Sequence, residues 1–185
     1  GLSEQYGTYF TTDRKRYRRM DEIKMRIYLI GLPGSGKTTL GKELAFRLGY
    51  RFIDMDEWIE QQAMLFIDEL FDHYGEAYFR ALETNVLKDL KEMDDVVIAC
   101  GGGIVTTEEN KKWMQGIVIY LTVALDVLTK RLQASYPRPL LKTKTIDQLL
   151  LERKDRYENF ATFQIENADL EKSIEQIMKR LGDQR

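Results

Sequence analysis

Cysteine and histidine are almost missing from this sequence: Cys100 and His73 are the sole examples. One cysteine excludes an intramolecular disulfide, and with no export-type leader pattern the expected compartment is the cytoplasm. The lone histidine lies in the acidic, aromatic run FDHYGE and reads as a surface or helix-end residue, not a metal ligand. No apolar run approaches the roughly 20 residues of a membrane span, so no membrane partner is expected. A large charge of one sign is also lacking. The net charge of −2 argues against a nucleic-acid binder. Repeats and an interdomain linker are absent as well, and 185 residues with 43% hydrophobic content predict one soluble globular domain.

Charge is unevenly spread. The run Arg14-Lys15-Arg16-Tyr17-Arg18-Arg19 lies upstream of Met25, which reads as a possible start. Residues 1–24 are taken as an N-terminal extension or appended residues, and residues 25–185 as the domain. A nucleic-acid, membrane or partner contact is the competing reading of that basic arm.

What is present centres on Gly31–Thr39, GLPGSGKTT, which fits G-x-x-x-x-G-K-[ST]. Glycines let backbone wrap closely around an anion, because no Cβ collides with it. Loop N–H groups and the following helix start direct partial positive charge at phosphate oxygens. In such a loop Lys37 reaches the β- and γ-phosphates and the Thr38 hydroxyl ligates Mg²⁺. The context agrees: Arg26–Ile30 is a short apolar run suited to a buried strand, and residues 40–48 are apolar at helical spacing.

Further along, strands are predicted at 50–53, 96–99, 117–121 and, as a weak edge strand, 163–165. Helices are predicted from Glu57 through Gln62 and at 67–71, 76–92, 108–115, 125–133, 145–158 and 173–181. This alternation predicts an α/β fold, a parallel sheet with helices on both faces. Ligands bind at the carboxyl edge of such a sheet.

Three clusters fall on that edge: Gly31–Thr39, Asp54 with Asp56, and Gly101-Gly102-Gly103. In extended backbone Asp54 and Asp56 point the same way, so they suit a Mg²⁺ site plus a group that holds or deprotonates a hydroxyl. A helix N-cap is the competing reading. The strand ending at Cys100, expected at the centre of the sheet, has no terminal Asp for the metal, which makes Asp54 the nearest candidate; Cys100 itself reads as a buried structural thiol. The triple glycine suits a ligand resting on bare backbone, or a flexible connection. Arg80 has Glu76 four residues before and Glu83 three after, which fits surface ion pairs or an arginine braced to fork onto a carboxylate.

Taken together, GLPGSGKTTLGKELA at 31–45, FIDMDEWIE at 52–60, GE-x-x-FR-x-x-E ending at Glu83, VIACGGGIV at 97–105, RPLL at 138–141 and Arg153-x-x-x-Tyr157 resemble the shikimate kinases. The resemblance runs from about Met25 to the C-terminus. It implies a three-layer αβα, nucleoside-monophosphate-kinase-like fold with a five-stranded parallel sheet and a mobile lid. It implies phosphorylation of the shikimate 3-hydroxyl by ATP with Mg²⁺, a step towards chorismate and aromatic amino acids, in a monomer.

Carried over by residue, the resemblance gives Gly34, Ser35, Gly36, Lys37, Thr38 and Thr39 to the ATP phosphates. Thr38 and Asp54 go to the metal, and Asp56 to the substrate hydroxyls and the proton. The substrate carboxylate falls to Arg80, Arg153 and the Gly101–Gly103 backbone, with Glu83 bracing Arg80. Arg138 becomes the lid arginine and Arg131 lies against adenine. Lys37, Asp56 and Arg138 form the catalytic set. Asp155-Arg156 replaces the family's usual Pro-Leu, so Arg156 competes with Arg153 for the carboxylate. A late family arginine near adenine has no match around Ala168–Leu170. The alternatives are a gluconate-kinase-like enzyme and a non-catalytic nucleotide-binding module on the same fold.

Overall fold

A computed structural model describes residues 25–133 and 144–183. The strands are β1 (Arg26–Ile30), β2 (Arg51–Asp54), β3 (Val96–Ala99), β4 (Ile117–Thr122) and β5 (Phe163–Glu166). The helices are α1 (Lys37–Leu48), α2 (Met55–Ala63), α3 (Ile67–Tyr74), α4 (Glu76–Leu90), α5 (Asn110–Trp113), α6 (Leu125–Gln133), α7 (Ile146–Phe160) and α8 (Leu170–Asp183). A 3₁₀ turn at Ile104–Thr106 follows β3.

All five strands run parallel, in the order β2-β3-β1-β4-β5. Side-chain alternation on β1 divides the core in two. Ile27 and Leu29 pack with Leu40 and Leu44 of α1 and Ile174 and Ile177 of α8. Tyr28 and Ile30 pack on the other face with Leu70, Phe79 and Leu87 of α3 and α4 and with Tyr157 of α7. Both faces are covered, as parallel strands with unbroken apolar runs require. The centre of the sheet is β1, not the strand ending at Cys100, and β5 takes the expected edge.

Adjacent strands β1 and β3 hand the chain to opposite faces. The loop after β1 enters α1 on one side, whereas the turn after β3 enters the Ile104–Val105 cluster on the other. That reversal opens a crevice at the carboxyl edge, where an open α/β sheet binds ligands.

Three boundaries differ from expectation. The segment expected to be helical over 108–115 is helical over Asn110–Trp113. Asn110 is fully buried, with Nδ2 donating to the Ile104 carbonyl at 2.8 Å and Oδ1 accepting from the Thr84 hydroxyl at 2.6 Å, so this turn is placed by tertiary bonds. The last helix starts at Leu170, since the Asp169 carboxylate accepts from the Lys172 N–H at 2.9 Å and caps its first turn. Helix α2 begins at Met55, one residue after β2 ends.

Candidate active site

The Gly31–Thr39 loop follows β1 and feeds α1. Gly36 is the helix N-cap with φ 90°, a left-handed conformation that glycine adopts at no steric cost. No side chain caps this helix, so its first-turn N–H groups face the loop. Lys37 curls back along it: Nζ donates to the carbonyls of Gly31 at 2.7 Å and Leu32 at 3.0 Å. A cavity of about 550 Å³ opens here, bounded by Gly34, Lys37, Thr39, Asp54, Asp56 and Gly102. Gly36, Thr38, Gly101 and Arg131 also line it. Ser35 is buried behind the loop.

Asp54 answers to both of its sequence readings. Oδ1 caps α2, accepting from the N–H groups of Asp56 at 3.0 Å and Glu57 at 3.2 Å. Oδ2 accepts from the Thr38 hydroxyl at 2.9 Å. The cap fixes the carboxylate's rotation, and its other oxygen is thereby turned to the loop. Asp56 reaches the cavity by a different route from the one expected. It stands in the first turn of α2, not in extended backbone, so helix direction rather than strand alternation aims it.

Behind the triple glycine lies a second charged layer. Arg80 of α4 bridges Glu83 at 2.6 Å and Glu76 at 3.3 Å. Glu83 is 1% exposed, its Oε2 takes no hydrogen bond, and burial pushes its pKa up to about 7. The Arg80 charge pulls the other way and the Asp56 carboxylate pushes up, but burial dominates. The glycines are what let these groups come so close. A Cβ on Gly103 would overlap the Arg80 guanidinium, and one on Gly101 would stand 2.8 Å from Asp56 Oδ1.

Helix α7 supplies the last wall. Arg153, 4% exposed, brings a guanidinium nitrogen to 3.4 Å from where a Gly102 Cβ would sit. Tyr157 donates its hydroxyl to the Gly102 carbonyl, and burial pushes its pKa up to about 12, so it keeps the proton it donates. Arg156 turns elsewhere, donating to the Thr106 carbonyl at 2.7 Å and the Val105 carbonyl at 3.4 Å. The Leu149-Arg153-Tyr157-Phe160 stripe is the buried face of α7, and that spacing was available in the sequence.

Arg80 and Arg153 stand behind the glycines rather than on the cavity wall itself. Arg131 of α6 donates to the Gly34 carbonyl at 2.9 Å. Arg138 and the rest of RPLL lie outside the described residues. Cys100 is buried at the cavity's base, and burial raises its thiol pKa well above the usual range, which keeps it inert. Asn167 escaped the sequence reading. It directly follows β5 and lines the cavity with Ala168 and Leu170, where the late arginine had no match. Its position at a strand's carboxyl end was the available signal.

The arrangement joins a glycine-rich loop at a helix start and an oxygen pair suited to a hard cation with Asp56 across one cavity, and sets an arginine-and-carboxylate cluster behind the glycine turn. Both the sequence and the fold are similar to those of known proteins. Residues 33–183 match the family model described as shikimate kinase. A shikimate kinase of Synechococcus elongatus is 45% identical over 136 residues, covering 71% of this chain and 72% of that protein. One from Microcystis aeruginosa is 41% identical over 161 residues, covering 85% of each. The structure of a shikimate kinase from Acinetobacter baumannii in complex with shikimate matches with a TM-score of 0.84 and 32% identity, over 90% of this chain and 98% of that one. With the family match running from Pro33 of the loop through the glycine turn and α7, the chain belongs to the shikimate kinase family.

Proposed function

We propose a division of labour for the ATP-dependent phosphorylation of the shikimate 3-hydroxyl, which yields shikimate 3-phosphate and ADP. One observation carries it: the loop with its Thr38–Asp54 pair and the Asp56–Gly102 wall bound a single cavity. Gly34 to Thr39 cradle the ATP phosphates through backbone N–H groups, and Lys37 swings from the loop carbonyls to the β- and γ-phosphates. Thr38 and Asp54 would hold Mg²⁺, since a hydroxyl and a carboxylate oxygen suit a hard divalent cation. When bound, Mg²⁺ neutralises charge on the transferred group.

Asp56 hydrogen-bonds the substrate hydroxyl and accepts its proton as the hydroxyl oxygen bonds to the γ-phosphorus and the bond to ADP breaks. Arg80, Arg153 and the Gly101–Gly103 backbone hold the carboxylate. Two planar guanidinium forks suit a planar carboxylate better than ammonium groups do. Arg131 packs at the adenine side. Arg138, outside the described residues, supplies positive charge to the transferred phosphoryl group. This reading takes residues 25–185 as the kinase domain, acting as a cytoplasmic monomer without nucleic-acid or membrane partners. Among the described residues no helix is long and apolar enough to cross a membrane.

The test is coupled ADP release with ATP and Mg²⁺, comparing shikimate, gluconate and quinate. Shikimate-dependent turnover well above the other two is expected. Folded protein that turns over gluconate and not shikimate would move the assignment to the gluconate-kinase-like reading. Folded protein that binds ATP and turns over none of the three would favour the non-catalytic module.

A further inference from the structure

Asn167 has no part in the scheme above, yet its amide is tied at both ends. Nδ2 donates to the Ser35 carbonyl at 2.9 Å, and Oδ1 accepts from the Ser173 hydroxyl at 2.9 Å. Its backbone N–H donates to the Thr122 carbonyl at 2.7 Å, extending the β4–β5 pairing by one residue. Asn167 is 6% exposed and Ser173 is 1% exposed, so these bonds are sheltered from water. A carbonyl can only accept, so the Ser35 bond fixes which end of the amide faces the loop. Asn167 and Ser35 are 132 residues apart in the chain.

The peptide that Asn167 grips is Ser35–Gly36. In a trans peptide the C=O and the following N–H point in opposite directions, and the described residues contain no cis bond. Holding the Ser35 oxygen therefore fixes the plane of the unit and the direction of the Gly36 N–H. That N–H is one of the donors the loop offers to phosphate. Gly36 also meets the same amide directly, since a Cβ there would lie 2.5 Å from Asn167 Nδ2. Glycine at 36 is thus required by its left-handed backbone and by this approach.

We propose that Asn167 is a positioning residue for the phosphate-binding loop. From the end of β5 it clamps the Ser35–Gly36 peptide in its phosphate-accepting orientation, and Ser173 locks the clamp. The inference rests on the reading that residues 34–39 bind the ATP phosphates. Its reach is the triphosphate, not the base and not shikimate.

Asn167→Asp tests it, because the change keeps the shape and sets an acceptor oxygen against the Ser35 carbonyl. Calorimetric Kd values for MgATP, inorganic tripolyphosphate and shikimate are compared with the unsubstituted protein at pH 8. ATP and tripolyphosphate are each expected to weaken about tenfold, the size of one unsatisfied buried hydrogen bond, while shikimate stays within about twofold. Loss of ATP affinity with tripolyphosphate unchanged would place Asn167 at the base and overturn the proposal. So would an equal loss for all three ligands, which would mean general loosening. Ser173→Ala serves if the aspartate variant does not fold. It frees the amide to turn, and about a threefold loss for ATP and tripolyphosphate is expected; unchanged affinity for both overturns the clamp. If the unsubstituted protein bound neither phosphate ligand, the phosphate-site reading itself would fall, whatever the variants did.

Discussion

The two halves of the cavity are built on different plans. The half proposed to hold phosphate is nine consecutive residues, Gly31–Thr39, offering chiefly backbone N–H donors. The half proposed to hold the acceptor is assembled from Asp56 on α2, Arg80 and Glu83 on α4, the glycine turn after β3, and Arg153 and Tyr157 on α7. Backbone dipoles need only one turn in the right conformation. Side-chain charges need three helices brought together around the glycine turn, and one of these charges, Glu83, sits in a dry environment. The first plan draws mainly on backbone, with Lys37 and Thr38 as its working side chains; the second concentrates its function in side chains. Substitutions should therefore divide cleanly between the two substrates.

The largest effect is expected from Asp56→Asn. Loss of the proton acceptor should lower kcat by about a thousandfold, with the KM for ATP little changed, in steady-state assays. A rise in the KM for ATP of similar size would show that the halves are not separable. Arg80→Ala should raise the KM for shikimate about a hundredfold and leave that for ATP within about twofold, since it removes one partner of a buried charge pair. Turnover falling while the KM for shikimate holds would mean that Arg80 and Asp56 have exchanged roles.

A smaller effect, on the acceptor half alone, should follow Gly103→Ala. Its Cβ must displace the Arg80 guanidinium, so about a tenfold rise in the KM for shikimate is expected from a protein that still binds ATP normally. Unchanged shikimate kinetics would show that the Arg80 position is not set by this turn.

Glu83→Gln sharpens the comparison through pH. Burial raises the folded pKa of Glu83 from 4.5 to about 7, so between those values the folded state binds more proton than the unfolded chain. The protonated group's contribution is complete below about pH 4.5 and is lost as pH rises through about 7. Across that window the unsubstituted protein should lose on the order of 3 kcal/mol relative to Glu83→Gln, read from denaturant unfolding at pH 5 and pH 8. Parallel pH curves would refute it. The least effect is expected from Arg131→Ala, about a threefold rise in the KM for ATP, because its bond to the Gly34 carbonyl is exposed.

The phosphate half was legible because each of its requirements is local. The strand before the loop, the glycines within it and the helix after it lie inside one short stretch. Of the acceptor half, the residue types were legible and their assembly was not. The Asp54–Asp56 spacing suggested extended backbone, but α2 begins between them. Arg153 and Arg156 could not be ranked on motif alone, although the apolar partners four residues either side of Arg153 mark the buried face of α7. Asn167 left no motif, because its meaning depends on a loop 132 residues away.

The sequence by itself determined the order of strands and helices, the two-sided burial of the sheet and the strand-loop-helix setting of Gly31–Thr39. Those properties follow from side-chain periodicity and from backbone permissiveness within about ten residues. Tertiary structure decided which carboxylate oxygen meets Thr38, which arginine stands at Gly102 and which side chain grips Ser35. Each of these pairings depends on the strand order β2-β3-β1-β4-β5. That order brings distant strand ends to one edge, and it arises from packing both faces of the sheet at once, which no local pattern encodes.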